Sequence, residues 1–400
     1  MTSEICCGWM RSRIRWTLIV LMAAGLLTGG WRMWRARKLD RLRDDCAALA
    51  RDGEWELLET KSAEWIRRGV EPAALYWQGL ALKHQGRFLE AEPVFAQVPL
   101  EGPRGIDSAV ERMEILFHVH NRPLDALSLG DELLRLDQRL ASPRRHRIYF
   151  LAMTLQRAEL AEEILTAIRL GVDLPEHYIY LLTLDDLAFQ DAADVTRRWR
   201  EASPDDVRLN AASEIRRLQL ARALWLESPT ESLGEDYRRV RDEARPVLEA
   251  SAEDSAALEA LLLLGVEEEN LEDVERWLSQ VGAEAAQNPV VWRVRGWYAA
   301  RQGDYDQALE AYERAISINP LSVQSRSEYA GLLRVLNRGE EAGQAQVLSA
   351  RGQELISEAR RLPHVQEASA DLLLRLANYL RDCGELSASN GILRRLQTSA

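Results

Sequence analysis

From Asp44 to the last residue the chain keeps one pattern: apolar side chains at i, i+3, i+4 and i+7, interrupted every dozen or so residues by Gly or Pro. That spacing gathers the apolar positions on one face of a helix and leaves the charged ones on the other. Strands would need apolar residues at every second position in runs rich in Val, Ile and Thr, and such runs are missing. The pattern therefore predicts an all-α body over residues 44–400, made of short amphipathic helices separated by tight turns. In the middle of the chain, helix pairs fit residues 111–136, 145–170, 176–200, 206–226 with 235–250, and 255–281.

The helices recur at a fixed interval. The clearest unit covers residues 289–320, with Trp292, Gly296, Gly303, Ala308, Tyr312, Ala315 and Pro320 at positions 4, 8, 15, 20, 24, 27 and 32. Gly296 and Ala308 are small where two antiparallel helices would cross, Trp292 and Tyr312 fill the space beside that crossing, and Gly303-Asp304 supplies the turn. The same frame returns at Ala330, Leu333 and Ala342, and earlier at Gly79, Leu82, Gly86, Ala91 and Phe95. Weaker echoes occur at Leu49, Gly53 and Trp65, and at Ala377, Leu380, Gly384, Leu393 and Leu396. This set of positions resembles the tetratricopeptide repeat (TPR). The best repeats are 72–99, 289–320, 323–349 and 370–397, with a prolonged second helix through residues 350–361; residues 102–288 are divergent. The resemblance implies an α-solenoid, a right-handed superhelix of hairpins with an extended concave face.

Ahead of this body stands a different kind of segment. Residues 16–31 include no charged side chain and are flanked by Arg15 and Arg32. As a helix the segment spans about 24 Å, and snorkelling arginines with Trp16, Trp31 and Trp34 at the interfaces extend that towards a ~30 Å hydrocarbon layer. The expected layout is a short basic tail (1–15), a single transmembrane anchor (16–34), a basic collar (35–43) and the solenoid. A cleaved signal peptide, ending at Thr28-Gly29-Gly30, is the competing reading. Three basic residues precede the span and six follow it, which favours a cytoplasmic body by the positive-inside rule; a short tail retained inside would export the body instead.

Charge sharpens the picture. The whole chain carries −12, but residues 1–43 hold nine basic and two acidic side chains, so the remainder carries −19. An acidic body behind a basic collar points to an anionic membrane surface and away from nucleic acid. Four cysteines without a CxxC pair give no disulfide framework or metal site. His118-Val119-His120 puts two rings about 200° apart on a helix, unsuited to a shared metal. Asp185-Asp186 and Asp205-Asp206 read as helix caps, and the pairs Arg144-Arg145, Arg197-Arg198, Arg216-Arg217 and Arg238-Arg239 as surface ion pairing. No catalytic or cofactor-binding motif is present, so neither enzyme activity nor a cofactor is expected.

The resemblance also implies where a partner would bind, since positions 2, 5, 9, 12 and 13 of the first helix of a TPR face the groove. Those positions include Tyr76, Lys83 and His84 in one unit, Arg293, Trp297 and Arg301 in the best unit, and Arg334 in the next. Arginines beside Trp297 suit a peptide hot spot, and packing of Trp297 on the next repeat is the alternative. The Asn and Lys pattern of chaperone-binding clamps is absent: position 9 holds Leu80, Trp297 and Gly331. The expected function is that of a non-catalytic, membrane-anchored TPR adaptor that binds a protein or peptide in its groove; the alternative is an exported accessory subunit of an envelope enzyme or secretion complex. The family members this layout resembles are bacterial.

Overall fold

The computed structural model describes residues 38–398, apart from 70, 284, 363, 365 and 366. The expected tail and anchor, 1–15 and 16–34, lie outside the described residues, as does the start of the collar. Among the described residues no helix is long and apolar enough to cross a membrane.

The described chain is helical throughout and contains no strand, as the pattern predicts. It divides into two compact units after Ile115. The first contains α1 (residues 38–52), α2 (Trp55–Arg68), α3 (Pro72–His84), α4 (Phe88–Phe95) and α5 (Gly105–Glu114). Its core holds Leu58, Trp65, Trp77, Leu82 and Phe95. Gly79 is required where α3 crosses α4, because a Cβ there would stand 2.7 Å from the Phe95 ring. A π-helical turn, Ile115–Val119, follows α5.

The second unit contains α6 (Pro123–Leu136), α7 (Ala141–Met153), α8 (Arg157–Leu170), α9 (Pro175–Leu182), a 3-10 turn (Leu184–Asp186), α10 (Ala192–Ala202), α11 (Val207–Glu227) and α12 (Glu231–Ala250). It continues with α13 (Ser255–Glu267), α14 (Leu271–Leu278), α15 (Pro289–Gln302), α16 (Tyr305–Ile318), α17 (Val323–Val335), α18 (Gly339–Ala359), α19 (Ala370–Asp382) and α20 (Leu386–Thr398). Hairpins α13–α14, α15–α16, α17–α18 and α19–α20 pack as antiparallel pairs, and α18 supplies the long second helix.

In the hairpin α15–α16 each signature residue does what its size dictates. Gly303 takes φ +80°, open to glycine at no steric cost, and the Asp304 carboxylate caps α16 by accepting from the Gln307 N–H at 3.1 Å. A Cβ at Gly296 would sit 2.9 Å from the Tyr312 ring, and Ala308 is fully buried. Ala308→Leu is therefore expected to overpack the crossing and cost about 1–3 kcal/mol, read as a lower melting temperature; an unchanged midpoint would misplace the repeat frame.

Two features depart from the expected open array. The stretch 176–200 forms no hairpin: α9 is eight residues long, and every residue from 176 to 182 is buried. It packs against α8 and α18, while α20 packs against α8. Gly391 of α20 lies so close to α9 that a Cβ there would meet the Tyr178 hydroxyl at 2.6 Å. Arg394 donates to the Ile168 carbonyl at 3.1 Å and Arg395 to the Asp173 carbonyl at 2.7 Å. The last hairpin thus closes on α8, and residues 174–187 lie among α8, α11 and α18. The physical reason is composition. Tyr178, Ile179, Tyr180, Leu181 and Leu182 are apolar on all sides, so this helix is stable only when surrounded.

Candidate functional site

The buried segment is fixed by polar groups that reach it from the array. Arg157, on α8, donates to the Leu184 carbonyl and to Glu259 of α13, its Nη2 lying 2.7 Å from Oε1. Glu259 also accepts from the Asn288 side chain at 2.7 Å. Arg216, on α11, is fully buried; it donates to the carbonyls of Ala152 at 2.6 Å, Met153 at 3.0 Å and Leu187. Loss of water, and then repulsion from Arg157, pushes Arg216 down to about 9. Asp185 accepts from the Asn319 amide at 2.9 Å and from the Ser322 hydroxyl, and Asp186 pairs with Arg360. Asp185 and Asp186 are therefore tertiary anchors rather than caps. Arg144 and Arg216 are likewise buried, not surface ion pairs; Arg144 meets Glu163.

Where the segment leaves the inner side open, a cavity of about 460 Å³ remains between residues 182–186, α17 and α18. Its walls carry Asp185, Asp186 and Arg360, already committed to each other and to Asn319 and Ser322. They also carry Gln324, Ser327 and Gln353. No hydrogen-bond partner engages the side chains of these last three among the described residues. Gln324 and Ser327 stand at positions 2 and 5 of the repeat 323–349, the positions expected to face the groove. Uncharged amides and a hydroxyl, each both donor and acceptor, can pair with the N–H and C=O groups of an extended peptide.

The residues expected in the groove are distributed differently. In the first unit, Tyr76 is buried among Trp77 and Phe95. Lys83 pairs with Glu111 and, at 2.8 Å, with Glu114, and His84 stacks on Trp55 with centroids 3.8 Å apart. In the second unit, Arg293 is buried and held at 2.8 Å by Glu328. Trp297 is half-buried and packs against the main core with the Arg301 guanidinium 5.2 Å from its ring; Arg301 also pairs with Glu269 at 3.1 Å. Arg334 donates to Gln346, which lines the cavity, at 2.9 Å. Of the seven, Arg334 is thus the residue hydrogen-bonded to a cavity-lining side chain. Gln324, Ser327 and Gln353 escape a reading of the sequence, because an isolated Gln or Ser on a helix carries no pattern; the signal available is their place in the repeat frame.

The histidine cluster gains a distant neighbour. His118 lies in the π turn and its Nε2 stands 3.1 Å from Nε2 of His146 on α7, a pairing no local spacing reveals. Among the described residues no group of three or more His, Cys, Asp or Glu side chains could hold a metal ion.

The tetratricopeptide repeat family model matches residues 289–322. No curated protein matches the chain. Among solved structures, Pseudomonas aeruginosa pilF overlaps 56% of this chain and 91% of its own, at 18% identity and a TM-score of 0.31. Yeast Tom70 overlaps 92% and 93%, at 12% identity and a TM-score of 0.26. A tetratricopeptide repeat protein from Parabacteroides merdae overlaps 74% and 97%, at 14% identity and a TM-score of 0.26. Overlaps this loose add nothing to what the helices show. By sequence model and by hairpin geometry alike, residues 289–322 form a tetratricopeptide repeat, set within an all-helical array of similar hairpins.

Proposed function

We propose that the chain is a membrane-anchored adaptor whose inner cavity holds a short extended segment of a partner protein. The observation that carries the binding half is the uncommitted set Gln324, Ser327 and Gln353 lining the cavity from α17 and α18, chemistry suited to a peptide backbone. The anchoring half rests on the apolar segment within 16–34 and the basic collar beside an acidic body. The basic-residue count favours a cytoplasmic body.

A photo-crosslinking amino acid at Ser327 of the full-length protein, in its native membranes, should trap one protein species. The same probe at the exposed Glu249 on α12 should not. Equal labelling from both positions, or none from Ser327, would remove the cavity from the binding site. Alkaline carbonate should leave the full-length chain in the membrane pellet. Release of a chain beginning near Trp31 would replace the anchor with the exported-subunit reading.

A further inference from the structure

On α15 a second set of side chains occupies the face away from Trp297. Trp292, Arg295 and Tyr298 follow one another at i, i+3 and i+6, and at 100° per residue this row lies roughly 160° around the helix from Trp297. It is open because α14 ends at Leu278 after only eight residues, whereas α16 on the other side runs for fourteen. The gap is a cavity of about 380 Å³ lined by Leu278, the row itself, and Gln307, Glu310 and Ala311 of α16.

The polar groups in this cavity are uncommitted. The Arg295 guanidinium lies over the Trp292 ring, 4.6 Å from its centroid. Among the described residues Arg295 is the one arginine withdrawn from solvent without a hydrogen-bond or ion-pair partner; every other arginine so withdrawn meets a carboxylate, an amide or a carbonyl. Burial holds it below the usual arginine range, and no carboxylate offsets that loss. Among the described residues the Tyr298 hydroxyl and the Gln307 side chain also lack hydrogen-bond partners. Trp292 is held in place by its indole N–H, which donates to the Ala286 carbonyl at 2.8 Å. Glu310 stands exposed and makes no ion pair with Arg295.

We propose that this cavity is a docking site for an acidic peptide segment of a partner protein, its carboxylate received by Arg295, Tyr298 and Gln307 and its neighbouring apolar side chain by Trp292, Leu278 and Ala311. The charge is complementary: a half-desolvated guanidinium on an aromatic face, without an internal anion, is satisfied by a planar carboxylate that can accept two of its N–H groups. The site shares no lining residue with the inner cavity, so it stands whether or not the inner cavity binds a peptide.

The test uses the full chain and fluorescein-labelled nonapeptides, amidated at the C-terminus, with a central Leu-Glu-Leu. Anisotropy should report saturable binding, at least tenfold weaker when the glutamate is replaced by glutamine. Arg295→Gln should weaken it by at least tenfold and Tyr298→Phe by about threefold, both with an unchanged circular dichroism melt. Glu310→Gln should tighten it severalfold by removing a like charge. A peptide with a free C-terminal carboxylate and no glutamate, binding as well as the first, would identify the terminus as the carboxylate source. Equal affinity for the glutamate and glutamine peptides, or for wild type and Arg295→Gln, would overturn the proposal. So would binding of inorganic phosphate without binding of any peptide, or a self-association lost in Arg295→Gln, which would make the occupant a second copy of the chain.

Discussion

Glu259→Gln is expected to destabilise the second unit by about 3–5 kcal/mol, a large share of the stability of an ordinary domain. The substitution keeps the shape of the side chain and removes its charge. Arg157 and Glu259 have side chains only 3% and 5% exposed, and the carboxylate is the counterion that makes the buried guanidinium tolerable. Without it, Arg157 stays between α8, α13 and the Leu184 carbonyl with a charge that neither water nor an anion compensates. The cost falls on the grip that joins residues 174–187 to the array. Urea unfolding followed by circular dichroism measures it, and the double variant Arg157→Met with Glu259→Met should recover most of the loss, since it removes both charges together. A shift below about 1 kcal/mol in Glu259→Gln would mean that solvent reaches the pair.

The second large effect is on the acid side. His177 of α9 is buried; its Nδ1 accepts the Leu174 N–H at 3.1 Å, and its Nε2 has no hydrogen-bond partner among the described residues. Burial first, and then the positive charges of Arg145 and Arg395, push it down to about 3. In the unfolded chain the same ring titrates near 6.5. Between those values the unfolded state takes up a proton that the folded state refuses, so stability falls as the pH falls from about 6.5 towards 3. The slope is about 1.4 kcal/mol per pH unit, so acidification from pH 7 to 4.5 should cost roughly 2–3 kcal/mol at this one residue. His177→Gln cannot titrate. Whatever it costs at pH 7, its stability relative to the wild type should rise by that amount on acidification. A difference between the two proteins that stays constant with pH would show that His177 is protonated in the folded state.

The hairpins were legible because their determinants are local. Gly303, Ala308, Gly296 and Tyr312 report a helix crossing through their sizes and spacing, and the family model matches that same stretch. Apolar periodicity placed α6 to α8 and α11 to α14 as well, where the signature glycines and alanines are lost. What the sequence did not show was how the array closes. Gly391 against Tyr178, Arg394 on the Ile168 carbonyl, and Asp185 under Asn319 and Ser322 join residues more than a hundred positions apart, and no spacing rule reaches that far. The apolar run 178–182 did carry a sign of its fate. A helix apolar on every side must be enclosed, but the expectation of a regular hairpin absorbed it. The groove residues suffered from the reverse limit. Arg293 and Lys83 occupy positions that can face a partner, yet each also lies within reach of a carboxylate on a neighbouring helix, Glu328 and Glu111, and the internal ion pair forms.

Residues 174–187 lie inside the second unit, and amide hydrogen exchange of that segment tests this enclosure most directly. A helix of eight residues is unstable alone in water, so α9 can protect its amides only by being enclosed. The amides of residues 180–183 and of Asp186, which donates to the Thr183 carbonyl at 2.8 Å, should exchange as slowly as those of α13 and α15. Complete exchange of this segment within seconds, while α13 and α15 stay protected, would contradict the account and leave an open array with an unfilled inner face.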